Sequence, residues 1–415
     1  MNTIIFIGLN KSGSSRDAVR AAYDLGYHTI VFTRNERKIK QREQYPDVHQ
    51  LFWVEELDQH TLTKEIIMLQ QRGFVIKAIS SFIDQHVHLA STLADTFCPD
   101  HPCCTDAIHI MENKQNTRVY FSEEPYTPNF ILIDKQEDIA SIHLDIWTDY
   151  PAMVKVSKST GSKDALQAVN LEELTRNIQK LRNKYPEETI IVEEFIDGPQ
   201  YLAEVLVFNG EIHLAAIIEQ EITKGKRFII TGYGVLAECD ADIERGIKRV
   251  AASIVQSLHM TNGTFHLELR HKPNGCWKLV EINPRISGGA MNRMIEAAFG
   301  INLVKETLKI QLGEAPDLTK TKEHFVFTQH ICIARQGILE RVLGKNKALQ
   351  SEGVVDVYIK PRKGTTLFPP MSMGHRYAHV IAIGSTLEEA THRAKQAAKL
   401  IQFHLHTSDT LTAIY

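Results

Sequence analysis

The segment from Gly263 to Arg285 concentrates charged and amide side chains at spacings that can do chemistry. A hairpin turn centred on Asn274 and Gly275 is a strong local signal, because both residues tolerate the left-handed backbone of a tight turn. Glu268 and Glu281 then stand six residues either side of that turn and face each other, with opposed Cβ atoms about 4.5–5.5 Å apart. Strand alternation puts Asn283 on the same face, and Phe265, Leu267, Leu269, Val280 and Ile282 on the other as a core stripe. Facing carboxylates repel unless something neutralises them. Mg²⁺ does so, since it takes carboxylate and amide oxygens together with phosphate oxygens. The plainer alternative is a solvent-facing hairpin whose carboxylates pair with Arg270, Lys278 or Arg285. The residues that follow shift the balance. Arg285, at the strand end, is a charged fork suited to a phosphate or carboxylate. Ser287, Gly288 and Gly289 leave backbone N–H groups bare before a helix, which suits a second anion. Metal oxygens, an anion fork and an anion nest at one strand end are expected of phosphoryl transfer onto a carboxylate.

Upstream residues fit the same chemistry. Lys155 interrupts an apolar strand and, if buried, needs an acidic partner; a lysine on a solvent-facing edge is the alternative. The small-residue loop after it, with Gly161 and Ser162, can bend over phosphates. Lys114 alone reads as part of a solvated helix face. Val192 to Gly198 is an apolar strand running into a turn, whose Glu193, Glu194, Phe195 and Ile196 offer an edge to an adenine ring. The first turn, Gly8 to Ser15, has the two glycines of a phosphate loop but Ser14 where its lysine would stand, so a plain tight turn is favoured. Cys98, His101, Cys103 and Cys104 match no pairing of zinc ligands and read as free thiols in a reducing cytosol.

These residues need a scaffold. The chain is 43% hydrophobic and 23% charged, ordinary globular usage that excludes disorder over most of its length. A net charge of −3 provides no driving force for nucleic acid. No apolar run reaches the roughly 18 residues of a spanning helix. The opening residues lack the basic region of a signal peptide and read as a buried strand. A cytoplasmic enzyme without membrane or nucleic-acid partners is expected. Residues 1–107 alternate strand and helix as a doubly wound parallel α/β domain, with Ser15 capping the first helix. Residues 108–190 carry shorter elements, and residues 191–415 carry longer strands joined by hairpins, one at Asn209–Gly210. The fold class is α/β, turning to α+β in the central and C-terminal lobes.

Taken in order, these motifs resemble the ATP-grasp superfamily over essentially the whole chain. The resemblance rests on Lys114 with Arg118, Lys155 with Gly161 and Ser162, the run Glu193 to Pro199, Glu204, and the set Glu268, Glu281, Asn283 and Arg285. The Arg285 to Gly289 ending is similar to that of the dipeptide-forming L-amino acid ligases. The resemblance implies an ATP-grasp fold with a preceding α/β domain, a small central subdomain and a C-terminal lobe ending in a lid segment. It implies a reaction in which ATP phosphorylates one amino acid and the amine of a second displaces the phosphate. Lys114 and Lys155 would contact ATP phosphates, and Glu194 and Ile196 would meet adenine through their backbones. Glu268, Glu281 and Asn283 would hold Mg²⁺, or Mn²⁺ in its place. Arg285 would stabilise the acyl phosphate, and Ser287, Gly288 and Gly289 the substrate end. A homodimer enters through the likeness alone. Gln200 stands where many relatives carry a ribose-binding carboxylate. The segments Ser157 to Lys163 and Thr223 to Lys226 are candidates to close over the site, and Ser81, Phe82, Ile83 and Asp84, at a strand end of the first domain, are candidates for the acceptor side. A ligase or carboxylase acting on a purine intermediate or another small acid is the first alternative, and a non-catalytic nucleotide-binding protein the second.

Overall fold

The computed structural model describes residues 1–406 except 102, 138, 140–143, 145, 146, 158–163 and 225–227. Gly161 and Ser162 therefore lie outside the described residues, as do Gly225 and Lys226.

Among the described residues, four sheets organise the chain. The strands Asn2–Ile7, His28–Thr33, Gln50–Trp53 and Val75–Ser80 form a parallel sheet, with Asn2–Ile7 between His28–Thr33 and Val75–Ser80. Asn2–Ile7 and His28–Thr33 are buried on both faces after their first residues, as the inner strands of a parallel sheet require. The first helix, Ser14–Asp24, starts at Gly13, not at a Ser15 cap. The Ser15 hydroxyl turns back to accept the Asn10 N–H at 3.0 Å, which removes it from capping duty.

A small antiparallel sheet joins Phe130–Ile133, Ile190–Glu194, Ala152–Val156 and Leu166–Ala168, in that spatial order. The helix Leu171–Lys184, capped by Asn170, packs Leu174, Ile178 and Leu181 against it. The large sheet has eight antiparallel strands. Its first half runs Trp277–Asn283, Gly263–His271, Gln200–Phe208, Glu211–Lys224. Its second half runs Phe228–Val235, Phe325–Ile331, Ala378–Gly384, Val354–Ile359. The Asn209–Gly210 hairpin is present, with φ of 51° and 79° at its two residues, the signs that an I′ turn demands. A three-stranded sheet of Gly337–Leu343, Thr366–Leu367 and Gln402–His406 went unread in the sequence.

Two glycines bring the site's elements close. A Cβ on Gly246, inside the helix Ala241–Ser257, would stand 2.0 Å from the Trp277 indole nitrogen. Its absence lets that helix seat against the hairpin that carries both glutamates. At Gly198, φ is 110° and a Cβ would lie 2.0 Å from the His271 carbonyl oxygen. Glycine alone allows the turn after Ile190–Glu194 to cross that strand end.

Candidate active site

Glu268 and Glu281 are register partners, as the spacing predicts. The route to that register differs from the simple hairpin. Next to the turn, His271 faces Trp277, Arg270 faces Lys278 and Leu269 faces Leu279, one residue out of phase with a turn centred on Asn274–Gly275. A bulge then inserts Val280 and restores the phase at Glu268–Glu281. The extra residue changes faces as a result. Phe265, Leu267, Leu269 and Ile282 enter the core as expected, Leu279 joins them, and Val280 lines the cavity.

Arg118 holds the bulge in place. Its guanidinium donates to the Leu279 and Val280 carbonyls at 3.1 and 2.8 Å, and to Glu193 at 2.8 Å. Lys155 reaches the other oxygen of Glu193 at 2.5 Å. Lys155 thus has the acidic partner that burial requires, and the solvent-edge alternative fails. Burial alone would push the Glu193 carboxyl up, but Arg118 and then Lys155 hold it down at about 2. Glu193 itself is 1% exposed and fully engaged by these cations, so it sits behind the surface that a ligand would meet.

Both glutamates, Asn283 and both lysines line one cavity of about 560 Å³. Lys114 opens the helix Lys114–Tyr120 and places its ammonium 3.1 Å from Glu281, not on a solvated face. Burial opposes ionisation of Glu281, but Lys114, with Lys155 and His266 behind it, keeps the carboxyl below its ordinary range. None of Arg270, Lys278 and Arg285 neutralises the pair by an ion pair among the described residues. Arg270 donates to Gln200 and to the Ile196 carbonyl, Lys278 meets Glu194 and the Thr127 carbonyl, and Arg285 meets Asp84. Two carboxylates and one amide therefore bring oxygen donors to a single space, the set a hard cation prefers.

The run at the end of Ile190–Glu194 is spoken for in part. The Glu194 N–H donates to the Asn129 carbonyl at 3.0 Å, and its carboxylate meets Lys272 at 3.0 Å. Arg270 lies over the Phe195 ring, 5.6 Å from its centre. Glu194, Phe195 and Ile196 line the same cavity as the lysines. Gln200 donates to Glu268 at 2.8 Å while its carbonyl accepts from Arg270 at 3.1 Å. An amide can do both at once; a carboxylate cannot donate.

The expected anion nest needs correction. The Ser287 N–H is not bare: it donates to Glu204 at 3.1 Å, and the Ser287 carbonyl accepts from Ser14 at 2.6 Å. The following helix begins only at Met291, with Gly288 and Gly289 in the loop before it. The first turn of the chain packs here as well, since a Cβ on Gly13 would lie 3.3 Å from the Gly289 nitrogen. That turn lines the cavity through Ser12 and Gly13. Phe82 lies away from this cavity, beside a smaller one of about 210 Å³, and is only 8% exposed in the core. Of the same acceptor-side segment, Asp84 lines the main cavity.

Sequence reasoning missed His266. It lies two residues before Glu268, on the same strand face, and that alternation was the available signal. Its Nδ1 is 2.8 Å from Glu204, and its Nε2 is 3.6 Å from Glu268. Burial would depress its pKa, but Glu204 and then Glu268 push it up to about 10. The far wall was also missed, and no local motif marks it. Tyr233, His330 and Tyr358 come from three strands of the second half of the chain, and Lys360 and Arg376 from the loops beyond them. Burial drives His330 well below the ordinary histidine range, so it stands neutral there.

The chain is similar to known proteins in sequence and in fold. Residues 148–293 match the ATP-grasp domain, and residues 329–406 match the L-amino acid ligase C-terminal domain 2. An L-arginine-specific L-amino acid ligase of Bacillus subtilis is 27% identical over 46% of this chain and 47% of its own length. The chain spans about half the length of the first curated relatives it matches. Among solved structures, the L-amino acid ligase from Bacillus licheniformis superposes with a TM-score of 0.82 at 18% identity, covering 98% of this chain and 99% of that one. Phosphoribosylglycinamide synthetase from Anaerococcus prevotii has a TM-score of 0.72 at 16% identity, covering 98% and 100%. No helix among the described residues is long and apolar enough to cross a membrane. The chain carries an ATP-grasp domain and is L-amino acid ligase-like.

Proposed function

We propose that this protein is an ATP-dependent carboxylate–amine ligase that joins two L-amino acids into a dipeptide, releasing ADP and phosphate. The observation that carries this reading is charge of opposite sign facing one cavity. Lys114, Lys155 and Arg285 stand beside Glu268, Glu281 and Asn283, all lining the same space. A polyphosphate with a divalent cation is the ligand such a surface suits, because it carries both signs itself.

In this reading Lys155, steadied by Glu193, and Lys114 hold the phosphate chain. The strand end at Glu194 to Ile196 seats the adenine. Glu268, Glu281 and Asn283 would hold Mg²⁺ or Mn²⁺, which supplies neutralisation of phosphate charge when bound. The carboxylate oxygen of the first amino acid attacks the γ-phosphorus, and the bond to ADP breaks. The deprotonated amine of the second amino acid then attacks the acyl carbon, and phosphate leaves. Arg285 stabilises the anion formed in both steps. Gly288 and Gly289 bound the substrate end of the cavity. Preorganised charge of this kind is the usual main source of catalysis in phosphoryl transfer.

The fold is shared with purine-pathway ligases and carboxylases, so it does not choose between an amino acid and a purine intermediate. The match of residues 329–406 to an L-amino acid ligase domain favours the amino acid. The test is ADP release, with mass detection of product, over pairs of amino acids and then over purine intermediates. Amino-acid-dependent ADP release with a dipeptide product is expected. In Glu281→Gln it should fall at least about a hundredfold, with folding unchanged. Turnover only with a purine intermediate would move the chain to the alternative. Tight ATP binding without any turnover would make it a non-catalytic nucleotide-binding protein.

A further inference from the structure

Away from the cavity, two histidines converge on one carboxylate. His88 lies in the helix Val87–Phe97, beside the parallel sheet. His109 lies in the next helix, Thr105–Met111, and Glu112 ends that helix. Glu112 Oε1 is 3.5 Å from His109 Nδ1 and 3.7 Å from His88 Nδ1. The two imidazole rings are 5.0 Å apart and tilted by 41°. One ligating atom from each residue fits within 4.8 Å of the other two.

We propose that His88, His109 and Glu112 form a binding site for a divalent cation of borderline softness, Zn²⁺ foremost, separate from the acidic pair at the cavity. Zinc–nitrogen and zinc–oxygen bonds of about 2.0–2.2 Å place tetrahedral ligands roughly 3.4 Å apart. Two of the three edges already lie within a few tenths of an ångström of that. Neither imidazole is at the usual 2.7–3.2 Å of a hydrogen bond to the carboxylate, so the three groups surround a point more than they bond one another. Two imidazoles and one carboxylate select zinc, cobalt, nickel or copper over Mg²⁺. A water fills the fourth position, since side-chain exposures of 38%, 57% and 28% leave the site open.

The location gives the ion a structural consequence. The helix Thr105–Met111 leads directly into the helix that begins at Lys114, and Thr117 Oγ donates to the Ile110 carbonyl at 3.0 Å. A bound ion would pin this connection to the helix of His88, two residues before the lysine that meets Glu281. The expected effect is a stiffer platform for Lys114, with no part in chemistry.

The experiment uses the full chain, stripped with chelator and held in excess Mg²⁺ so that the acidic pair is not the zinc site. Calorimetric titration with ZnCl₂ should show one equivalent bound. His88→Ala and His109→Ala should each weaken it at least about tenfold. Zn²⁺ should raise the melting temperature of the native chain and leave that of the double variant unchanged. Glu112→Gln, a near-isosteric change, should weaken binding with the chelated protein melting normally. Co²⁺ should give visible bands without a near-ultraviolet thiolate band. No uptake by the native chain, native affinity in the double variant, or a thiolate band placing the metal on cysteines would each overturn the proposal.

Discussion

Glu193 and Glu281 are both strand carboxylates beside a lysine on the wall of one cavity, and their surroundings differ in charge balance. Glu193 is shared by two cations, Arg118 and Lys155, and is 1% exposed. Glu281 meets Lys114 while facing another carboxylate, Glu268, and its side chain is 27% exposed. Near Glu268, the cation of His266 is divided between it and Glu204. One side carries more positive charge than its own carboxylate neutralises, and the other more carboxylate than its cations neutralise. Structural ion pairs close their own accounts. A surface that leaves opposite surpluses a few ångströms apart is prepared for a ligand that carries both signs.

The sharpest way to break this contrast is to remove a cation from the closed side. Arg118→Met leaves Glu193 with Lys155 alone and frees the Leu279 and Val280 carbonyls at the bulge. Breaking a buried pair in this way costs about 3–5 kcal/mol, to be read as a lower urea midpoint. Glu281→Gln acts on the open side, where relief of the repulsion from Glu268 offsets part of the lost Lys114 pairing, so stability should fall far less. Equal destabilisation by the two changes would erase the distinction.

A second effect is set by pH. His266 has a folded pKa near 10 against about 6.5 for a free imidazole. Its contribution to stability is therefore complete below about pH 6.5 and is lost as pH rises through about 10. Glu193 works in the opposite direction, its contribution present above the ordinary carboxylate range and lost as pH falls towards about 2. Denaturation midpoints measured between pH 6 and 10 should fall in the native chain. In His266→Gln they should start lower and vary less over that window. A parallel decline in both would assign the loss to other groups.

How much of this was readable beforehand follows from the range of each interaction. Opposition of Glu268 and Glu281 is a local property of one hairpin, and it was legible although the bulge at Val280 was not. A bulge is selected by what packs on it, here Arg118 from a distant helix, and no residue of the hairpin announces it. Lys155 was legible as a buried cation in search of an acid, but the acid, Glu193, comes from a neighbouring strand. The Ser287 nest was misread because its N–H is claimed by Glu204 across the sheet. Asp84 reaches Arg285 from the parallel sheet, a separation of about two hundred residues that no local pattern spans. The far wall, with Tyr233, His330 and Arg376, is assembled from strands whose neighbours are set only by the sheet order.

A smaller effect separates shape from charge beside Glu268. Gln200→Glu keeps the length of the side chain but turns a donor to Glu268 into a third acceptor. The lost hydrogen bond and added repulsion should cost about 1–2 kcal/mol at neutral pH, offset in part by a closer pairing with Arg270. Most of that loss should return below about pH 4, where the new carboxyl is protonated. The same loss at both pH values would mean that packing, not charge, holds this position.

The smallest expected effect concerns Arg285, whose partner Asp84 follows the last strand of the parallel sheet. Asp84 is 41% exposed at its side chain, so solvent screens the pair and Asp84→Asn should change stability by less than about 1 kcal/mol. Binding should respond more than folding. With the carboxylate gone, the guanidinium presents its full charge to the cavity. Phosphate, as an inhibitor of ADP release, should bind up to about fivefold tighter, the equivalent of that same 1 kcal/mol. The gain should shrink as salt is raised from low ionic strength, because a partly exposed charge is screened within roughly 10 Å at 0.1 M. Unchanged phosphate inhibition at low salt would show that Arg285 does not face the anion, and that its contact with Asp84 is a structural tie between the two sheets.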